Sequence, residues 1–242
     1  EAEFIECMGE IKVPPTSHIS LHSPIGGILK LKNVHEGMPV KKGQLLATLE
    51  HVDVIRIQEN YLKSKNQRAF WTEEYARKKE LFDGKAIPKR ELLEVETALN
   101  AENVNFKSLQ RQIQLLGISE SRLSKGDIVG SLSIVAPVDG FVTDILVNNG
   151  MYSGPDTEII RIIEDKEKHV VLHVFTDAIG QIQTGQKIEF QYSGSDKTYE
   201  SRVVSIGKSV DPESNTVKVH GELSANEQEL IVGSKIFGRI QI

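Results

Sequence analysis

Three regimes of hydrophobic patterning follow one another along this chain. From Ser23 to Glu50, apolar positions come in short runs (Ile28, Val34 and Val40, then Leu45, Ala47 and Leu49), with Gly37 and Gly43 between them. Short alternating runs bounded by glycine turns are expected of half-buried strands. From about Val52 to Phe82 glycine and proline are absent, and Gln, Glu, Lys, Arg and Ala are abundant, which predicts a helix. The segment 83–88 then supplies Gly84 to end that helix and Pro88 to open the next. A second helix is expected over Lys89–Leu116. Its heptad seam reads Leu92, Val95, Leu99, Glu102, Phe106, Leu109, Ile113, Leu116, apolar everywhere but Glu102. In the first helix Ile57, Tyr61, Trp71, Tyr75 and Phe82 suit a facing seam, while Ser64, Arg68 and Lys78 interrupt it. Two such helices joined by a tight turn form an antiparallel hairpin reaching on the order of 45 Å.

The strand pattern before the hairpin returns after it. Ser23-Pro24-Ile25-Gly26-Gly27-Ile28 with Val34-His35-Glu36-Gly37-Met38 matches Ala136-Pro137-Val138-Asp139-Gly140-Phe141 with Val147-Asn148-Asn149-Gly150-Met151 at one constant offset, without a gap. Pro24 pairs with Pro137, Gly27 with Gly140, Gly37 with Gly150, Met38 with Met151, Leu46 with Ile159 and Leu49 with Ile162. A unit of about thirty residues cannot bury its own apolar face, so the two copies should meet in one small sandwich. The hairpin is then an insertion between them.

After the charged break Glu164–Lys168 the chain reads as strand and turn. His169–Phe175, Lys187–Tyr192, Ser201–Ile206, Thr216–Leu223 and Ile236–Ile242 are expected strands, with Glu10–Val13 added from the N-terminal side. Turns are expected at Gly185-Gln186, Ser193-Gly194, Asp211-Pro212 and Val232-Gly233. Short strands at this density suggest a small barrel. The expected architecture is therefore mainly β with a long inserted α-helical hairpin, elongated. Residues 21–51 and 130–164 form the two halves of a sandwich, 52–129 the hairpin, and 1–20 with 165–242 the barrel. Hinges are expected near His51-Val52, Lys125–Gly130 and Asp165–Lys168.

Composition narrows the chemistry. The 242 residues carry a net charge of -5, which gives no basic surplus for wrapping a phosphate backbone, and nucleic acid is not an expected partner. One cysteine, Cys7, excludes an internal disulfide framework and any multi-cysteine metal site. No run reaches the roughly 18–20 apolar residues of a membrane span. The sequence starts at Glu1 rather than Met, which fits a chain processed or cut from a longer precursor, with a signal or lipid anchor removed. No phosphate loop, nucleophile elbow or dinucleotide fingerprint is present, and the carboxylates lie on solvated helix faces. No enzyme activity and no cofactor are expected.

The arrangement resembles the periplasmic adaptors, or membrane fusion proteins, of tripartite efflux pumps of the resistance-nodulation-division type, over nearly the whole chain. The half-motifs around Pro24–Gly27 and Pro137–Gly140 look like the family's split lipoyl-like domain. Val174–Gly185 and Val210–Val219 resemble its barrel signatures. Leu116-Gly117-Ile118-Ser119 resembles the heavy-metal cation branch. The resemblance implies an adaptor between an inner-membrane transporter and an outer-membrane channel, self-associated into a ring in the periplasm and anchored to the inner membrane through a removed N-terminal segment. It would export heavy-metal cations or small toxic compounds. The family's membrane-proximal domain is expected to be absent or trimmed. The family's hairpin tip also carries an Arg, a Leu four residues on and a Ser seven further on, for contact with the channel. Arg77 and Leu81 match the first two positions, whereas Pro88 stands at the third and cannot supply a hydroxyl.

Other readings of the same residues stay open. An adaptor for an ATP-driven exporter or type I secretion system would share the architecture. A lipoyl or biotin carrier is disfavoured, because the hairpin fills the junction where a carrier lysine would sit, and Lys41-Lys42 read as solvated turn charges. A transiently held metal cation would need ligands that remain unassigned. His18/His22 and His169/His173 are each four apart in apparent strands, which separates them by about 13 Å and prevents shared ligation. Met38 and Met151 occupy equivalent repeat positions, which suggests packing. Cys7 and Met8 should point to opposite faces of a strand. The Trp71, Tyr75, Phe82 stripe reads as hairpin seam or subunit contact rather than a ligand box.

Overall fold

The computed structural model describes residues 3–192, 197–223 and 229–242. The expected turn at Ser193-Gly194 lies outside the described residues. The chain divides into two compact units: one takes the chain up to Ile19 and again from Ile162 onward, the other spans Ser20–Arg161.

In the second unit the repeat becomes geometry. Strands β2 (His18–His22), β3 (Gly27–Leu31), β4 (Pro39–Val40) and β5 (Leu45–Glu50) precede the hairpin, and β6 (Ser131–Val135), β7 (Gly140–Ile145), β8 (Tyr152–Ser153) and β9 (Glu158–Ile163) follow it. The offset that matches the motifs carries each strand of the first set onto one of the second. The two sheets have the orders β2-β9-β7-β4 and β6-β5-β3-β8, so each half lends strands to the other's sheet. Gly27 pairs with Ser153 and Gly140 with Val40, which are the same pairing seen from either half. Likewise the Gly37 N–H donates to the Val142 carbonyl at 2.8 Å and the Gly150 N–H to the Leu29 carbonyl at 2.7 Å. The copies are thus interlocked rather than stacked, which is how two thirty-residue units make one core.

Two glycine requirements are visible in these halves. Gly37 and Gly150 have φ of +80° and +82°, a conformation that costs an ordinary L residue about 1–2 kcal/mol. A Cβ on Gly27 would come within 2.6 Å of the Glu50 carbonyl, so the β3–β5 approach depends on its absence. The expected alternation needs correcting in two places. Ile28 and its repeat mate Phe141 face out and are exposed, while Gly27 and Leu29 face in. In β5 the register shifts between Leu45 and Ala47, so Leu46 and Ala47 are both buried and Leu45 is exposed. The mated pair Ile159 and Ile160 is buried in succession too. Met151 is exposed and Met38 only partly covered, so the methionine equivalence lies in their backbones and not in packed side chains. The Leu29 N–H donates to the Met151 carbonyl at 2.9 Å and the Val142 N–H to the Met38 carbonyl at 3.0 Å.

The first unit is a closed barrel. Strands β1 (Phe4–Lys12), β10 (His169–Phe175), β11 (Lys187–Tyr192), β12 (Tyr199–Asp211), β13 (Thr216–Leu223) and β14 (Lys235–Gln241) close in the order β1-β10-β13-β12-β11-β14. Closure leaves no unpaired edge. The inward set includes Ile11, Val170, Leu172, Val174, Ile188, Phe190, Val219 and Ile240. β1 begins six residues earlier than the expected Glu10 and stops at Lys12. Its inward positions there are Ile5, Cys7 and Gly9 while Phe4 and Met8 point out, so the apolar alternation is masked. β12 likewise extends beyond Ser201–Ile206, carried through two register shifts.

Candidate functional site: the helical hairpin

Helix α1 (Val52–Asp83) and helix α2 (Lys89–Leu115) form the hairpin, followed by the short α3 (Glu120–Leu123). Every position of the expected α2 seam is buried or partly covered. At the base, Tyr61, Phe106, Ile113 and Leu123 pack together, with the Tyr61 and Phe106 ring centres 5.3 Å apart. The residues that interrupt the α1 seam find partners across it. Ser64 donates to the carboxylate of Glu102, the one polar member of the α2 seam. The Arg68 guanidinium lies 4.6 Å from the Phe106 ring centre. Lys78 donates to Glu91 at 2.6 Å. These polar groups satisfy one another only in one alignment of the helices, so they fix register where apolar contact alone would slide.

Two anchors at the base escape a reading of the sequence. Gln58 is fully buried, and its amide donates to the Val54 carbonyl at 2.6 Å and the Val129 carbonyl at 2.7 Å. Its oxygen accepts from the Val129 N–H at 3.0 Å. This side chain therefore clamps the segment 125–130 where a hinge is expected. Its only signal is a polar residue on the face shared by Val54 and Tyr61. Glu120 accepts from Gln110 at 2.9 Å, Gln114 at 3.0 Å and Tyr61 at 3.0 Å, and these bonds, the two glutamines' first, hold its carboxyl below the usual range. The Tyr61 hydroxyl is pushed up to about 12, by burial first and then by Glu120.

Both long helices end in the same capping geometry, built from different residues. After α2, Ile118 N–H reaches the Ile113 carbonyl and Gly117 N–H the Gln114 carbonyl, each at 3.0 Å, with Gly117 at φ +67°. After α1, Ala86 N–H reaches the Leu81 carbonyl and Lys85 N–H the Phe82 carbonyl, each at 2.8 Å. This is the Schellman arrangement. Here the left-handed residue is Lys85, at φ +57°, and not the expected Gly84, whose φ is -76°. Gly84 falls one position too early, so the turn geometry imposes the strained conformation on lysine. Pro88 caps α2 from its extended side, φ -74° and ψ 151°, and makes no side-chain cap bond.

Near this turn the structure places Arg77 and Leu81 four residues apart on one helical face, Leu81 two residues before the end of α1. The Arg77 side chain is 68% exposed and pairs with Glu74. That pair lowers the Glu74 carboxyl and raises the Arg77 guanidinium, each hydrogen bond to the other being the main cause. Leu81 is 41% exposed. A shallow dent of about 460 Å³ beside them is lined by Phe70, Trp71, Glu73, Glu74, Arg77 and Val95. Phe70 on α1 and Leu93 on α2 are exposed apolar residues that the sequence reading did not single out. Trp71, Tyr75 and Phe82 are partly covered.

A second concavity, about 800 Å³, lies on the barrel, with Met8, His173, Phe175, Phe237 and Arg239 in its lining. Met8 and Phe237 are exposed, and Cys7 on the other face of β1 is partly buried, as strand alternation requires. Cys7 donates weakly to the Gly238 carbonyl at 3.4 Å, and its thiol is pushed up to about 12 by burial and the nearby Glu6. It is a protonated, inert side chain at neutral pH. Among the described residues no three His, Cys, Asp or Glu side chains converge to hold a metal ion, and no helix is long and apolar enough to cross a membrane.

The interlocked sandwich with a hairpin between its halves has a family match. The model of the barrel-sandwich hybrid domain of RND membrane fusion proteins matches residues 17–162. The chain belongs to that family. It is similar to an uncharacterized protein of Haemophilus influenzae, 22% identical over 95% of this chain and 55% of that protein. It is also similar to the cobalt-zinc-cadmium resistance protein CzcB of Cupriavidus metallidurans, 18% identical over 91% of this chain and 42% of that protein. The chain thus spans about half the length of the curated relatives it matches. Among solved structures, ZneB of Cupriavidus metallidurans superposes with a TM-score of 0.64 at 17% identity, covering 100% of this chain and 99% of that one. A MacA–MexA chimera carrying the Pseudomonas aeruginosa MexA α-hairpin reaches 0.75 at 17% identity, covering 100% of this chain and 82% of that one. At such identities these likenesses establish the fold.

Proposed function

We propose that this protein is the periplasmic adaptor of a resistance-nodulation-division efflux pump, joining an inner-membrane transporter to an outer-membrane channel and exporting heavy-metal cations. The observation that carries the reading is the hairpin. A long two-helix arm grows from a small sandwich, is locked at its base by Gln58 and Glu120, and leaves Arg77, Leu81, Phe70 and Leu93 exposed toward its far turn. An arm with a fixed root and exposed apolar residues near its turn is suited to meeting another helical protein in coiled-coil fashion. Arg77 and Leu81 are the channel-contact residues of this reading. The exposed Met8, Phe175 and Phe237 of the barrel concavity are suited to docking on the transporter. Copies of the chain assemble side by side into a ring, held at the inner membrane by a segment preceding this one. The role is connective, and the transporter supplies the energy.

The cation branch draws support from the likeness to CzcB, a cobalt-zinc-cadmium resistance protein, and to ZneB. The test is growth of a strain lacking the gene against zinc, cobalt, cadmium, bile salts and dyes. Sensitivity confined to the metals, restored by the wild-type gene, is the expected result. Sensitivity to the amphiphiles alone would overturn the substrate assignment and leave a drug-type adaptor.

A further inference from the structure

The histidine pairs visible along the sequence are too far apart to share an ion, but the barrel creates another pair across two strands. In the β10–β13 ladder Val171 lies opposite His220 and His169 opposite Glu222, so His169 and His220 are diagonal neighbours. Both are on the outer face, since Val170, Leu172 and Val219 point into the core. Diagonal positions are within reach of ring side chains, and the two imidazole centres are 5.4 Å apart, tilted by 33°. Two imidazoles on one tetrahedral ion at ~2.0–2.1 Å bond lengths have ring centres roughly 5 Å apart. The observed spacing is close to that of two rings sharing one ion. Both rings are partly exposed, so an ion and its waters have access.

We propose that His169 and His220 form a two-imidazole seat for a borderline divalent cation, zinc or copper(II), with water completing the coordination. Imidazole nitrogen suits such ions, whereas calcium and magnesium prefer oxygen. The surroundings set its strength. Lys12 lies opposite His169 on β1, and Lys218 and Glu222 flank His220 on β13. On β12, Ser205 lies opposite His220 and Arg202 opposite Glu222. Lys12 is partly neutralised by Glu10 at 2.8 Å, itself shared with Lys235 at 3.0 Å. The remaining positive charge makes this a weak, exchanging seat, in contrast to a closed structural site. Burial, then the neighbouring His169, Lys218 and Lys12, holds the His220 imidazole neutral to lower pH than usual, which keeps its nitrogen free for a metal. The inference rests on the barrel alone and not on the pump reading, although a cation pump would give such a seat a use.

The test is calorimetric titration of the wild-type chain with zinc chloride at about pH 7.5, repeated at about pH 5.5, where protons should displace the ion. The expected result is one ion per chain, bound about tenfold more weakly or not at all by His169→Gln and His220→Gln and unchanged by His173→Gln. Imidazole proton resonances of wild-type protein give a readout that needs no variant: zinc should shift His169 and His220 together. Absence of binding by the wild type, or wild-type affinity in either single variant, would overturn the proposal while leaving the adaptor reading to its own growth assay.

Discussion

The two ends of the hairpin are built from the same kind of helix and hold together in different ways. At the base, Tyr61, Phe106, Ile113 and Leu123 turn their apolar surface inward, and Gln58 and Glu120 satisfy the polar groups beside them. Toward the turn, Trp71, Tyr75 and Phe82 are only partly covered, the seam is crossed by the Lys78–Glu91 ion pair, and Phe70, Leu81 and Leu93 face outward. Buried apolar contact is worth several times a half-exposed ion pair. The base therefore carries the stability. Exposed apolar residues occur at both ends, Val52, Ile55 and Leu115 near the base among them, but toward the turn they lie beside a seam closed only by partly covered rings and an ion pair. Surface left in that state on an extended arm is what a partner can take up.

If this contrast is right, substitutions should lose their effect on stability as they move outward. The largest effect is expected for Phe106→Ala, which empties the base cluster and removes the ring under Arg68. It should destabilise the hairpin by about 3–5 kcal/mol, read by denaturant unfolding and by faster amide exchange along α1 and α2. Gln58→Leu keeps the volume but leaves Val129 without either hydrogen bond, and should cost about 1–3 kcal/mol with exchange rising first in the segment 125–130. At the far turn the sign reverses. Lys85→Gly relieves a left-handed lysine and should raise stability by up to about 1 kcal/mol. A large loss there would mean that the lysine side chain holds the turn in a way its backbone geometry does not suggest.

Much of this molecule is legible before any coordinates. The constant offset between the half-motifs located the sandwich, and the α2 seam, polar only at Glu102, located the hairpin, because both signals can be read by counting along the chain. Three features stayed hidden for physical reasons. Strand exchange between the halves is a matter of pairing partner, which hydrophobic pattern does not encode. Gln58 acts through backbone groups 71 residues away, so its role is invisible until α1 and the segment after α3 meet. His169 and His220 are neighbours only across a ladder, whereas counting along the chain suggested pairings that strand geometry forbids. Arg77 and Leu81 are legible only through family resemblance. The structure adds that they share an exposed face beside Phe70.

The claim at the centre is that the outward apolar end of the hairpin is for a partner and not for the fold. The direct measurement is a paired one on Arg77→Glu and Leu81→Asp: unfolding of the purified variants, and growth of the deletion strain complemented with each under the toxic cations it fails to tolerate. Both side chains are exposed, so unfolding should be unchanged within about 0.5 kcal/mol, while resistance should be lost. Full resistance from both folded variants would contradict the account and move the contact elsewhere on the arm.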